Sequence, residues 1–180
     1  MTFQMVALGD IMAERTRTID PSKFPEEYFE LYSIPAFDKG EPDVVAGSQI
    51  GSIKQTIEPE DVLLSKIVPH IRRSWVVKPA ERRLIASGEW IVFRSERFHP
   101  HYLRHVLMSN FFRVHFMRTV AGVGGSLLRA RPAYVADIKV PFPSLVEQQR
   151  IAAILDRAYA LRAKRREAIT QLGQLTRRRA

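Results

Sequence analysis

The stretch IKVPFPSLVEQQRIAAIL, residues 138–155, decides how the chain is organised. Ile138–Phe142 reads as a short strand, and Pro143 is the last proline of the chain. Ser144-Leu-Val-Glu147 then forms a capping box, in which a Ser hydroxyl and a Glu carboxylate satisfy free helical N–H groups reciprocally. Beyond it one helical pattern runs to about residue 178. The chain therefore divides near residue 143 into a domain, 1–143, and a helical segment, 144–180.

The apolar positions of that helix follow a seven-residue repeat. Ile151, Ala158, Arg165 and Leu172 share one heptad position, and Ile154, Leu161, Ala168 and Leu175 share the other. All but Arg165 are apolar, which makes a coiled-coil seam. The helix would extend roughly 50 Å at 1.5 Å per residue. A lone helix of that length cannot bury its own stripe, so Ile151, Ile154, Ala158, Leu161, Ala168, Leu172 and Leu175 are the expected self-association residues. Packing on its own domain is the alternative.

Upstream of residue 138, short apolar runs alternate with turn signals. Tyr28–Pro35 (YFELYSIP) alternates as a strand does, and Asp38–Gly40, Glu41-Pro42-Asp43 and Glu58-Pro59-Glu60-Asp61 are turn chemistry. Val62–Val68 (VLLSKIV) reads as a mostly buried strand, and Trp75–Val77 and Trp90–Arg94 as further short strands. His99–Met117 carries the spacing of one amphipathic helix. Thr119–Ser126 (TVAGVGGS) is a flexible glycine loop, and Pro132 opens a short helix. The expected fold class is α+β (mixed α/β): a curved or mixed sheet with flanking helices, followed by one long coiled-coil-forming helix.

With 180 residues the chain fits one domain with an appendage, and 46% hydrophobic residues exclude wholesale disorder. No run of 18 apolar residues predicts a membrane span, and no signal peptide is evident. The chain has no cysteine, which excludes disulfides, thiolate metal sites and cysteine nucleophiles and suits a cytoplasmic location. A net charge of +9 and a pI near 10.2 point to nucleic acid, because phosphate contacts supply most non-specific affinity. The charge is uneven. Residues 1–60 hold five Lys/Arg against eleven Asp/Glu, residues 61–146 fourteen against five, and residues 147–180 nine against three. The basic residues are mostly Arg, suited to bidentate contacts with phosphate or guanine. The alternative is a solvated surface with acidic residues folded against basic ones.

Most enzyme signatures are missing: no GxxxxGK phosphate loop, no strand-to-helix GxGxxG, no GxSxG elbow. His101 and His105 lie on one helical face next to His99, but no carboxylate or thiolate sits nearby in sequence, and surface histidines are the plainer reading. Asp137-Ile-Lys139 has the D-x-K form of a nuclease half-motif; its nearest upstream acid is Glu96, 41 residues earlier, and metal-dependent cleavage needs converging carboxylates. The candidate DNA-contacting residues are Ser52 and Lys54, then Lys66, Arg72 and Arg73 at a strand-to-loop edge, then Arg118, Ser126, Arg129 and Arg131 flanking the glycine loop. Long donors placed together suit phosphate or base-edge contact. Arg72 and Arg73 point to opposite faces if extended. Trp75 could stack on a base or fill the core.

These residues together resemble the specificity (S, HsdS) subunit of type I restriction–modification systems over nearly the whole chain. Leu8-Gly-Asp-Ile11 looks like the family's opening. Tyr32-Ser-Ile-Pro-Ala-Phe-Asp38, Gly47 with Ile50-Gly-Ser-Ile-Lys54, Asp61-Val-Leu-Leu-Ser-Lys66, and Pro69, Ile71, Arg73 and Trp75 are similar to one subgroup's target recognition domain. Pro100-His-Tyr-Leu103 to Leu107-Met-Ser109 matches the family's helix. Ile138 to Pro143, with Glu147-Gln148 and Ile151–Leu155, resembles the junction with the conserved spacer helix. Two positions depart: Val68 stands where a polar residue, often Asn, is expected, and Ser87-Gly-Glu-Trp90 replaces a more usual Ser-Thr-Glu-Phe. A full S subunit carries two recognition domains and two spacer helices, whereas this chain has one of each, so the resemblance is to a half-length form.

The resemblance implies recognition of one half of a bipartite double-stranded DNA target without catalysis. Methyltransferase (M) and restriction (R) subunits would be the partners. S-adenosylmethionine, ATP and Mg would serve those subunits, with no cofactor in this chain. A small nuclease using Asp137 and Lys139, or a coiled-coil adaptor with an incidental basic face, are the competing readings.

Overall fold

The computed structural model describes residues 3–13, 16–121 and 128–177. The elements, in chain order, are β1 (Gln4–Ala7), β2 (Thr18–Ile19), β3 (Tyr28–Tyr32), α1 (Ile34–Lys39), β4 (Asp43–Ala46), β5 (Lys54–Thr56), β6 (Val62–Ser65), β7 (Ser74–Val76), β8 (Arg83–Ala86) and β9 (Trp90–Phe93). There follow α2 (Pro100–Met108), α3 (Asn110–Phe116), β10 (Val120–Ala121), β11 (Arg129–Ala130), α4 (Pro132–Ala136), β12 (Lys139–Phe142) and α5 (Leu145–Arg177). The architecture is α+β, as the sequence predicts.

Two sheets carry the domain. A five-stranded sheet runs β2-β5-β8-β3-β4 and is mixed: β3 and β8 are parallel and the other pairs antiparallel. A three-stranded antiparallel sheet runs β7-β6-β9. The β6 sequence VLLS and the β9 sequence WIVF are buried at every position, because this sheet is covered on both faces. Alternate side chains divide accordingly. Val62, Leu64, Ile91 and Phe93 face the helices with Leu103, Leu107, Phe112 and Phe116. Leu63, Trp90 and Val92 face Tyr32, Leu84 and Ala86 of the five-stranded sheet. Trp75 lies in this second cluster, its ring 4.5 Å from Tyr32 and 5.5 Å from Phe37 between centroids, so it packs as a core aromatic.

Both ends of the domain meet in β1 and β12, which pair antiparallel from Gln4↔Phe142 to Ala7↔Lys139. That pair sets where α5 leaves. The long helix begins at Leu145 and docks against α2, burying Ala152 in the main core.

Several local expectations are corrected. The Tyr28–Pro35 strand stops at Tyr32, because Ser33 caps a new helix by accepting the Ala36 N–H at 3.1 Å. The Val62–Val68 strand stops at Ser65. The single helix expected over His99–Met117 is two helices. Ser109 adopts extended backbone, ends α2, and accepts the Phe112 N–H at 3.1 Å to start α3. The capping box at Ser144 is half made. Ser144 Oγ accepts the Glu147 N–H at 3.4 Å, but the Glu147 carboxylate turns forward to Arg150 at 2.8 and 2.9 Å. The glycine loop Gly122–Gly125 and Ser126 lie outside the described residues.

Candidate nucleic-acid interface

The acidic first third folds against part of the basic middle. Asp38 takes Arg73 in a two-point ion pair at 2.8 and 2.9 Å. Glu30 faces Arg82, Glu27 faces Arg83 at 3.2 Å, and Asp61 with Glu58 holds Arg94. Asp61 is 1% exposed and accepts from Arg94 Nε and Nη2 at 2.7 Å and from the Glu58 N–H at 2.8 Å. Its place in the Asp61–Lys66 motif is thus structural. The Arg73 hydrogen bonds hold the Asp38 carboxyl below the usual carboxylate range. Arg73 is itself 9% exposed, so its guanidinium serves β7 and α1 rather than the surface.

One group of cations outside that pairing gathers around α3. Among the described residues, Lys66, Arg72, Arg104, Arg113, Arg118, Arg131 and Lys139 have no carboxylate partner within ion-pair distance. Arg72 donates to the Met108 carbonyl at 2.9 Å and to Asn110 Oδ1 at 2.7 Å, which fixes it across the α2–α3 break. Arg113 lies beside it on the same shallow depression, with Ser65, Pro69 and Ile71. On the other side of α3, His115, Arg118 and Lys139 border a second depression with Met5, Phe111 and Tyr134. Arg131 sits over the Tyr134 ring, 5.4 Å from its centroid.

Backbone pairing explains how residues far apart in sequence gather here. Val120 pairs with Ala130 and Ala121 with Arg129. Ile67 bridges to Arg129, the Ala130 N–H donates to the Lys66 carbonyl at 2.7 Å, and the Arg131 N–H donates to Thr119 at 3.0 Å. Lys66, Arg118, Arg129 and Arg131 are therefore brought to one region. Arg129 is exposed but pairs with Glu89 at 3.1 Å. Ser52 and Lys54 stand apart on the five-stranded sheet, where Lys54 Nζ donates to Ser52 and partial burial lowers its pKa. Ser126 lies outside the described residues. Arg113, Arg104 and Lys139 as a polar contact were not among the expected contacts. Arg113 sits in an otherwise aromatic helix (NFFRVHF), the one signal that marked it.

The two remaining candidates for chemistry separate. Asp137 and Lys139 open onto the depression beside α3, whereas Glu96 lines a different cleft with Glu58, Glu60 and Leu145. The nuclease half-motif therefore does not meet its second acid. The histidines are not simply surface residues. His105 is buried, and it and His101 both bond a carboxylate the sequence held 51 positions away from His105, Asp156 of α5. Among the described residues no cluster of three or more His, Asp or Glu could hold a metal ion, and no helix is long and apolar enough to cross a membrane.

Comparison with known proteins gives this geometry its context. Residues 2–171 match the family model described as the type I restriction modification DNA specificity domain. The chain belongs to that family. It is 31% identical over 129 residues to the type I restriction enzyme StySPI specificity subunit of Salmonella potsdam, covering 69% of this chain and 27% of that protein. It superposes with a TM-score of 0.75 on the crystal structure of the HsdS subunit from Thermoanaerobacter tengcongensis, at 27% identity over 92% of this chain and 45% of that one. A second solved chain, from work on complex assembly and conformational transition of the type I R-M system, matches with the same score and identity. The chain thus spans less than half the length of these relatives.

Proposed function

We propose that the chain is a non-catalytic DNA-reading unit that recognises one half of an interrupted double-stranded target. Residues 1–143 would read the DNA, and residues 144–180 would serve as spacer and pairing helix. Methylation and cleavage, with their S-adenosylmethionine, ATP and Mg, would belong to partner M and R subunits. One observation carries this reading. In a chain of the specificity family, Asp38, Glu30, Glu27 and Asp61 engage Arg73, Arg82, Arg83 and Arg94, while Arg72, Arg113 and Arg118 around α3 have no carboxylate partner among the described residues.

A salt series tests it. Each phosphate contact releases counterions, so log K should fall with log[salt], and Arg113→Ala and Arg118→Ala should each reduce the slope by about 1. A flat dependence, or unchanged slopes in both variants, would overturn the reading. Arg72 faces a base edge less freely than these two because its guanidinium already bonds Met108 and Asn110.

Pairing through the helix is the second part of the proposal. Ile154 and Leu161 are 55% and 67% exposed and stand on one face of the helix, an apolar row of the kind a partner helix covers. Ile151 packs partly against the chain's own core, so the seam starts effectively at Ile154. Leu161→Glu should convert the assembly to a monomer in sedimentation; an unchanged mass would remove the seam. The side chains of Leu172 and Leu175 lie outside the described residues.

A further inference from the structure

The long helix is fastened to the recognition domain along one stripe, and the fastening ends abruptly. Gln148 is fully buried; it accepts the His99 N–H at 2.8 Å and donates to the carbonyls of Pro143 and Arg97 at 3.0 and 3.2 Å. One turn on, Ala152 enters the core. One turn further, Asp156 takes two imidazoles of α2 at once: His101 Nδ1 at 2.9 Å and His105 Nε2 at 2.8 Å. A carboxylate is acceptor-only, so both ring nitrogens carry the proton and donate. The His105 ring also stacks on Tyr159, 5.4 Å away and 11° from parallel. After Tyr159 every described side chain of the helix is exposed. The 18 residues from Ala160 to Arg177 therefore project roughly 27 Å beyond the last contact.

Two attachment points on one carboxylate do more than one. His101 and His105 lie one turn apart on α2, so a carboxylate bonded to both resists sliding along α2 as well as rotation about its own helix axis. At about 100° per residue, the stripe Gln148, Ala152, Asp156 and Tyr159 lies roughly 175° round the helix from Ile154, Leu161 and Ala168, on nearly the opposite face. The clamp and the exposed apolar seam therefore occupy different faces and can act together. Whatever covers the seam meets it at an angle that the clamp sets.

We propose that Asp156, forked across His101 and His105, is a positioning residue that fixes the rotation of the long helix on the recognition domain, and thereby the angular phase between the two recognition domains of a pair. This rests on the DNA-reading and pairing functions proposed above for the two parts of the chain. Its consequence is a requirement on the DNA: two half-sites must face the pair at one helical phase, so affinity should depend steeply on the number of base pairs between them.

Two measurements on the full chain test this. The chain has no cysteine, so Glu81→Cys and Gln171→Cys place unique spin labels on the domain and on the projecting helix; labelled protein is diluted into unlabelled protein. The unmodified clamp should give one narrow interspin distance distribution, and Asp156→Ala should broaden it at least twofold. Separately, the preferred half-site is selected from random duplexes, then presented twice with gaps lengthened one base pair at a time over a full DNA turn. With Asp156 the affinity should peak at one gap. In Asp156→Ala the ratio of best to worst gap should fall about tenfold, while affinity for a single half-site stays within twofold. If Asp156→Ala does not fold, His101→Ala removes only the exposed arm of the fork and should produce an intermediate broadening and flattening. An unchanged distance distribution and gap profile in the folding variant would overturn the proposal. If no sequence-selective binding is found with Asp156 present, the DNA-reading function fails, and the spin-label distances alone decide whether the clamp holds the helix.

Discussion

Val68 is one of two non-glycine residues with positive φ among the described residues, and the only β-branched one of the two. Its φ of 47° lies in the left-handed region, where a β-branched side chain collides with its own backbone. The conformation persists because neighbours enforce it: its N–H donates to the Leu128 carbonyl at 3.1 Å and its carbonyl accepts from Ile71 at 2.9 Å, closing the Pro69-His70 turn that Arg72 follows. The polar residue expected here by resemblance now has a physical reason, since Asn tolerates this backbone and Val does not. Val68→Asn should stabilise the fold by about 1 kcal/mol, read as a raised urea midpoint; an equal or lower midpoint would mean the valine side chain supplies packing that outweighs its strain. Gly47 shows a different constraint. A Cβ there would come within 2.4 Å of the Pro21 carbonyl oxygen and closer still to that of Phe24, so the backbones at this crossing leave no room for any side chain.

The junction between β12 and α5 is decided by Gln148. Replacing it with Leu keeps most of the volume but leaves the Pro143 and Arg97 carbonyls and the His99 N–H without partners in the buried seam. The expected loss is about 3 kcal/mol, seen as a lowered urea midpoint with an unchanged slope; a loss below about 1 kcal/mol would mean water replaces the amide. The neighbouring elements show why element boundaries were harder to read than element types. The strand character of β6 and β9 was visible as apolar runs, because both faces are buried. The break between α2 and α3 was not, because the apolar spacing continues across Ser109 while the capping hydroxyl interrupts the backbone. β5 and β8 carry no legible strand signal, because KQT and RLIA are too short to display a period.

Across the whole molecule, charge is partitioned by folding. Asp38, Glu30, Glu27 and Glu58 of the first sixty residues pair with Arg73, Arg82, Arg83 and Arg94, and cations without a carboxylate partner among the described residues gather around α3 and along the exposed helix. The same folding buries histidines. Burial pulls the pKa of His105 below 6.5, against the opposing pull of Asp156, and burial also lowers that of His99. The sign follows. The unfolded chain protonates these rings near pH 6.5, while the folded chain holds them neutral to lower pH, so the unfolded state binds more protons as pH falls. Stability should be fully present above about pH 7 and should decline as pH falls below 6.5. His105→Gln should shallow that decline; an identical pH profile would place the titration elsewhere.

The sequence by itself determined the long C-terminal helix, the α+β class and the concentration of cations after residue 60, because these depend on periodicity, proline placement and composition, all local properties. Only the tertiary structure decided which cations remain available and what anchors the helix. Arg73 reads as a DNA contact by sequence alone, but the fold pairs it with Asp38, 35 positions away. His101 and His105 lacked a carboxylate until α5 brought Asp156 onto them. Such partners are joined by strand pairing and helix docking across tens of residues, and no local pattern records which distant side chain the fold will place within 3 Å.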